Sequence, residues 1–219
     1  MYEFLAIILL AYLVGAIPTS IIVSKLVKGI DIRQHGSGNA GGSNVFRVIG
    51  WKFGILTIVL DALKGVIAVV FISRLFSTTI PFSNQTPFDD FTIIQILAGL
   101  FAVIGHIWTV FAGFKGGKGI ATALGFMLSI VTIDMLLALV IFAIVVSISK
   151  YISLGSLSAA FSIPIIMIVR ENVFNVDIQG YHTILPFVIC IALLVLYTHR
   201  ANVSRLLAGN ENQISLSKK

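Results

Sequence analysis

Three short segments hold most of the residues that could do chemistry. The first is Gly36-Ser37-Gly38-Asn39-Ala40-Gly41-Gly42-Ser43-Asn44, followed by Arg47. Four glycines in nine residues let the backbone approach a ligand closely and turn successive N–H groups inward, the geometry of an anion nest. Ser37, Asn39, Ser43 and Asn44 add short polar side chains, and Arg47 adds a guanidinium fork that matches phosphate oxygens. A flexible polar turn could have this composition, but the density of donors and the arginine favour a binding loop.

The second segment is Gly113-Phe114-Lys115-Gly116-Gly117-Lys118-Gly119-Ile120-Ala121-Thr122. A glycine loop entering a helix offers unpaired N–H groups and a favourable dipole, and two lysines add charge. The direct inference is phosphate binding by Lys115, Gly116, Gly117, Lys118, Gly119 and Thr122. The segment is not a P-loop, because Lys118 is followed by Gly119 rather than Ser or Thr and no buried strand precedes it. A juxtamembrane basic loop would explain the lysines but not the glycines.

The third segment is His199-Arg200-Ala201-Asn202-Val203-Ser204-Arg205. On a helix, His199, Asn202 and Arg205 share one face at spacing three, and together could hold a polar anion. Ser153 and Ser156 are weaker candidates for a substrate contact, since such serines often only pack helices. His106 could be functional or a hydrogen-bonded structural histidine. Asp61 and Lys64, three apart in an apolar run, read as a mutually neutralising pair. Cys190, the only cysteine, reads as a small buried apolar residue. His35 and His182 read as ordinary surface histidines.

The elements that must position these groups are membrane helices. Of 219 residues, 58% are hydrophobic and only 11% charged, with a mean hydropathy of +1.03. Too few polar residues remain to clothe a water-facing surface. The reading is one all-α membrane domain, 1–219. Clear apolar spans run over about 4–24, 53–73, 91–111, 152–169 and 183–198, and Pro18 and Pro164 should kink theirs. The first span lacks a basic front and a cleavage site, and so reads as a retained helix rather than a signal peptide.

The apolar run 120–149 is too long for one unkinked span and short for two. Charge decides how it crosses. Segment 25–52 has Lys25, Lys28, Arg33, Arg47 and Lys52 against Asp31, and 112–119 has Lys115 and Lys118. Lys150 stands alone, and the tail has Arg200, Arg205, Lys218 and Lys219 against Glu211. The connections 74–90 and 170–182 lean acidic. With basic segments in the cytoplasm, 120–149 must cross an even number of times, as a hairpin with Asp134 near its outer tip. Seven transmembrane helices result, two of them short, with the N-terminus outside and the C-terminus cytoplasmic. All three candidate segments then lie on the cytoplasmic face.

The net charge of +6 comes from short clusters between apolar runs, which suits an anionic membrane face or anionic substrates rather than nucleic acid. There is no GxSxG elbow, no histidine with an aspartate five positions on, and no carboxylate cluster suited to a metal. An enzyme of this kind needs an already activated substrate and contributes positioning and charge stabilisation.

These segments resemble those of the PlsY family, the bacterial acyl-phosphate glycerol-3-phosphate acyltransferases, over essentially the whole chain. GSGNAGGSN with Arg47 is similar to the first family signature. Gly105-His106 with GFKGGKGIAT is similar to the second, and HRANVSR to the third. Thr109 stands where proline is usual, and Gly42-Ser43 where Ala-Thr is usual. The resemblance implies seven helices in the bacterial cytoplasmic (inner) membrane. It implies acyl transfer from a fatty acyl phosphate to the 1-hydroxyl of sn-glycerol 3-phosphate, giving 1-acylglycerol 3-phosphate (lysophosphatidic acid) and inorganic phosphate. No cofactor, no metal and no direct use of acyl-CoA or acyl carrier protein is expected. Carried over, Ser37, Arg47, Lys118, His199 and Asn202 are the catalytic set. Gly36, Gly38, Asn39, Asn44, Lys115, Gly116, Gly117, Gly119, Thr122, Ser153, Ser156 and Arg205 are substrate-binding. A transporter for an anionic metabolite is the main rival, but no inverted repeat of broken helices is evident. A CDP-alcohol phosphotransferase would need an aspartate-rich metal motif.

Overall fold

A computed structural model describes residues 2–76 and 79–214; the expected tail charges Lys218 and Lys219 lie outside these. Described residues are helical: α1 Tyr2–Ala16, α2 Thr19–Lys28, α3 Gly42–Val48, α4 Trp51–Val70, α5 Asp90–Ile107, α6 Ile120–Ile130, α7 Thr132–Ser149, α8 Ile152–Asn172, α9 Tyr181–Thr198 and α10 Arg200–Leu207. Among them are six helical stretches long and apolar enough to cross a bilayer, and one shorter apolar helix, α6. The sequence reads as one domain; packing separates two compact units, 1–130 and 131–219.

In the first unit α1 packs on α5, and α4 on α5 and α6. Small residues permit this. A Cβ on Gly65 would lie 2.2 Å from the Thr122 carbonyl oxygen, and one on Gly125 would lie 1.9 Å from that of Ala62. Close backbone approach replaces the hydrophobic drive that lipid removes. One end of the unit has an apolar core of Ile7, Ala11, Ala68, Ile72, Ile80, Ile94 and Ala98. The opposite end has Ile21, Val23, Ile32, Ala40 and Val45 beneath the glycine loops.

Pro18 does more than kink the first span: it divides α1 from α2. The break orphans carbonyls that a membrane protein must satisfy internally. The Thr109 hydroxyl donates to the Ala16 carbonyl and the Lys64 ammonium to that of Ile17. Thr109 thus supplies a donor to the broken span. Asp61 and Lys64 form the expected pair, 2.6 Å apart and both buried.

The hairpin expected over 120–149, with Asp134 near its tip and both helices short, has one short helix and one of full length. The chain breaks at Val131, leaving 11 residues in α6 and 18 in α7. At 1.5 Å per residue α6 spans only about 16 Å, roughly half the hydrocarbon thickness. In the second unit α7 packs on α8 and α8 on α9. Arg170, late in α8, pairs with Asp134, early in α7, at 2.6 Å. Cys190 is exposed on α9, against the expectation of burial; a helix facing lipid can present apolar residues outward at no cost.

Candidate active site

The first unit brings the first two candidate segments together. Gly29, left-handed at φ 67°, closes α2 and releases the chain into the first loop. Asp31 caps the next turn by accepting from the Arg33 amide at 3.0 Å, and its carboxylate pairs with the Arg33 guanidinium at 2.7 Å. Those Arg33 hydrogen bonds hold the Asp31 carboxyl at about 2.

Asn44, almost wholly buried, organises the rest of the loop. Its Nδ2 donates to the carbonyls of Ile32 (3.0 Å), His35 (2.9 Å) and Asn39 (3.1 Å). Its Oδ1 accepts from the Ser37 amide at 2.9 Å. The sequence suggested a substrate contact; the structure commits this side chain to the loop itself, where it presents Ser37. Ser37 and Asn39 are half-buried, Gly36 and Gly38 exposed, and Arg47 projects from the last turn of α3.

The second loop folds back on the end of α5. Gly116 N–H donates to the Ile107 carbonyl and Gly117 N–H to that of His106, each at 3.1 Å. These amides therefore satisfy a helix end and are not available to a ligand, against the expectation for Gly116 and Gly117. Gly119, at φ 81°, turns the chain into that helix. Thr122 is fully buried and its hydroxyl has no hydrogen-bond partner among the described residues. Lys115 is exposed and Lys118 half-buried.

Two contacts join the loops. Arg33 Nη1 donates to the Ala112 carbonyl at 3.0 Å. Gly117 presses so closely on the Ala40 carbonyl that a Cβ there would sit 2.7 Å from its oxygen. Segments bearing Ser37, Arg47 and Lys118 thereby share one end of the unit.

The second unit gathers the remaining candidates. His199 joins α9 to α10 and is buried. Its Nδ1 lies 2.9 Å from the Val195 carbonyl oxygen, which can only accept, so Nδ1 bears the hydrogen. Asn202 Nδ2 donates to Glu211 at 2.7 Å, Arg205 Nε at 2.7 Å and Ser153 Oγ at 3.1 Å. Burial alone would raise the Glu211 carboxyl, but the Asn202, Arg205 and Ser153 hydrogen bonds overcome it and hold the group below its ordinary value. Ser156, one turn from Ser153, is buried and makes no hydrogen bond among the described residues. Glu211 was missed as a site residue: in sequence it is one acid in a basic tail, and only the fold-back of 209–214 places it here. That fold-back is fixed by Ile214 N–H donating to the Lys150 carbonyl at 2.8 Å.

Long apolar helices joined by basic, glycine-rich loops define a multi-pass membrane protein. The chain belongs to the glycerol-3-phosphate acyltransferase family, whose model matches residues 5–209. It is 45% identical to a glycerol-3-phosphate acyltransferase of Chlorobaculum tepidum over all of both chains. It is 43% identical to that of Chlorobium phaeobacteroides, over all of this chain and 99% of the other. It is also similar to a crystal structure of PlsY (YgiH), an integral membrane glycerol 3-phosphate acyltransferase, in its glycerol 3-phosphate form. That likeness has a TM-score of 0.80 and 34% identity over 97% of this chain and 96% of that one. The lysphosphatidic acid form matches with a TM-score of 0.77.

Proposed function

We propose that this chain transfers a fatty acyl group from acyl phosphate to the 1-hydroxyl of sn-glycerol 3-phosphate, releasing inorganic phosphate. The acceptor oxygen attacks the acyl carbonyl, an ester C–O bond forms, and the bond from the carbonyl carbon to the phosphate oxygen breaks. The hydroxyl proton passes to a phosphate oxygen of the substrate. Because acyl phosphate is a mixed anhydride, the protein needs no nucleophile of its own and acts by positioning and charge.

The observation that carries this reading is the junction of the two glycine loops through Arg33–Ala112 and Ala40–Gly117. It sets the segments of Ser37, Arg47 and Lys118 beside one another. Arg47, Lys118 and the start of α6 would hold phosphate oxygens, and Ser37, His199 and Asn202 would orient glycerol 3-phosphate. The Glu211 carboxylate, gripped by Asn202, Arg205 and Ser153, illustrates the affinity of that group for an oxyanion. Ser156 is the serine left to meet substrate. PlsY has a glycerol 3-phosphate form and a lysphosphatidic acid form, which supports the acceptor and product proposed for this chain.

The charge distribution supports seven crossings of a bacterial cytoplasmic membrane, N-terminus outside, C-terminus and active site cytoplasmic. The decisive chemistry is tested by incubating the purified protein with palmitoyl phosphate and glycerol 3-phosphate. Inorganic phosphate and lysophosphatidic acid should appear together, with palmitoyl-CoA failing as donor. Equal turnover with palmitoyl-CoA would refute the acyl-phosphate assignment.

A further inference from the structure

The loops do not account for four polar residues deeper in the first unit, Asp61, Lys64 and His106 buried and Thr19 half-buried. Asp61 Oδ1 accepts from Lys64 Nζ at 2.6 Å and from the Thr19 hydroxyl, and Lys64 also reaches Thr19 Oγ1 at 3.2 Å. His106 Nδ1 lies 3.5 Å from the same carboxylate oxygen. All four sit within spanning segments, where ionisable groups are costly and rarely incidental. Asp61 and Lys64 could satisfy each other without His106.

The other edge of the imidazole faces the second glycine loop. A Cβ on Gly117 would lie 2.2 Å from His106 Nε2, and one on Gly116 would lie 2.0 Å from the His106 carbonyl oxygen. The His106 carbonyl also accepts the Gly117 amide at 3.1 Å. The ring, Thr19, Ser20, Gly116 and Gly117 border a small cleft at the break in the first span. His106 therefore touches both the buried ion pair and the turn ahead of Lys118.

We propose that His106, held by Asp61, is a positioning residue that sets the Gly116–Gly117 turn and with it the grip of the second loop on phosphate. This deepens the acyl-transfer reading and rests on it for the identity of the phosphorylated ligands. The support lies in the membrane segments, and the glycine-rich loop takes its position from it. A positioning role predicts weakened phosphate binding with chemistry largely preserved once substrate is bound.

The experiment compares His106→Leu, which cannot donate to Asp61, with His106→Asn, whose amide can replace Nδ1–H. Inorganic phosphate binding is read from its saturable thermal stabilisation of the purified protein, and kcat and KM from palmitoyl phosphate and glycerol 3-phosphate. His106→Leu should weaken phosphate binding about tenfold and raise KM for a phosphorylated substrate similarly, with kcat within about threefold. His106→Asn should regain most of that loss. Wild-type phosphate binding by His106→Leu, a fall in kcat at unchanged KM, or no advantage of Asn over Leu would overturn the inference. Should His106→Leu not accumulate, the Asp61→Leu/Lys64→Met double variant, which removes the acceptor for His106 without stranding a charge, makes the same comparison. There, wild-type phosphate binding overturns it. Absence of acyl transfer in the wild type would defeat the acyl-transfer reading alone, because the phosphate-binding arm does not depend on turnover.

Discussion

The Glu211 carboxylate accepts hydrogen bonds from Asn202, Arg205 and Ser153, two helices and a tail meeting on one side chain. Its pKa is lowered against the opposing effect of burial. A depressed folded value means that the contact contributes stability at pH above the ordinary 4.5 and loses that contribution as pH falls through the folded value. The fold-back of 209–214 should therefore resist protease unchanged from neutral pH down to mildly acid conditions, then become cleavable on further acidification. Protection that is already lost between pH 8 and 6 would contradict this. Asn44 makes the complementary point about what residue types disclose. Its carboxamide was legible as polar and important, but not as the hub of its own loop. Two donor hydrogens and an acceptor can serve a ligand or a backbone equally well, and only the path of residues 32–39 decides.

At the scale of elements, apolar runs, Pro18 and the i,i+3 spacing of Asp61 and Lys64 were enough to place the spans, the first break and the buried pair. The uneven division of 120–149 was not: Asp134 marked the neighbourhood of the tip, but hydropathy runs unbroken through Val131, where the chain divides. Nor was the exposure of Cys190, since in lipid an apolar residue can face outward. The close approach of α4 and α6 adds a testable consequence. A methyl on Gly125 would sit 1.9 Å from the Ala62 carbonyl oxygen. Gly125→Ala should destabilise the first unit by about 1–3 kcal/mol, the usual cost of overpacking, and disturb the start of α6 that follows Lys118. Thermal unfolding in detergent would measure it, and an unchanged midpoint would mean that the helices part without penalty.

For the whole molecule, the positive-inside distribution gives a direction to every span. With Cys190→Ser as background, Asp177→Cys should react with a membrane-impermeant maleimide in intact cells, and Lys150→Cys only after the inner membrane is opened; both sites are exposed in the fold. The reverse pattern would invert the topology. Family membership was legible because three motifs occur in order at the proper separations, each bound to a helix end. Their local roles were less so: the Gly116 and Gly117 amides satisfy α5, and a tail acid completes the third motif's surroundings.

The account depends on fixed cations at the glycine loops holding phosphorylated substrates for a donor that is already activated. Replacing one cation tests this most directly: Lys118→Ala, assayed for phosphate release from palmitoyl phosphate with glycerol 3-phosphate, in protein shown to be folded by its thermal transition. Turnover should fall by about a hundredfold or more, the scale of losing one preorganised charge at a transition state. Near-normal turnover by the folded variant would contradict the account.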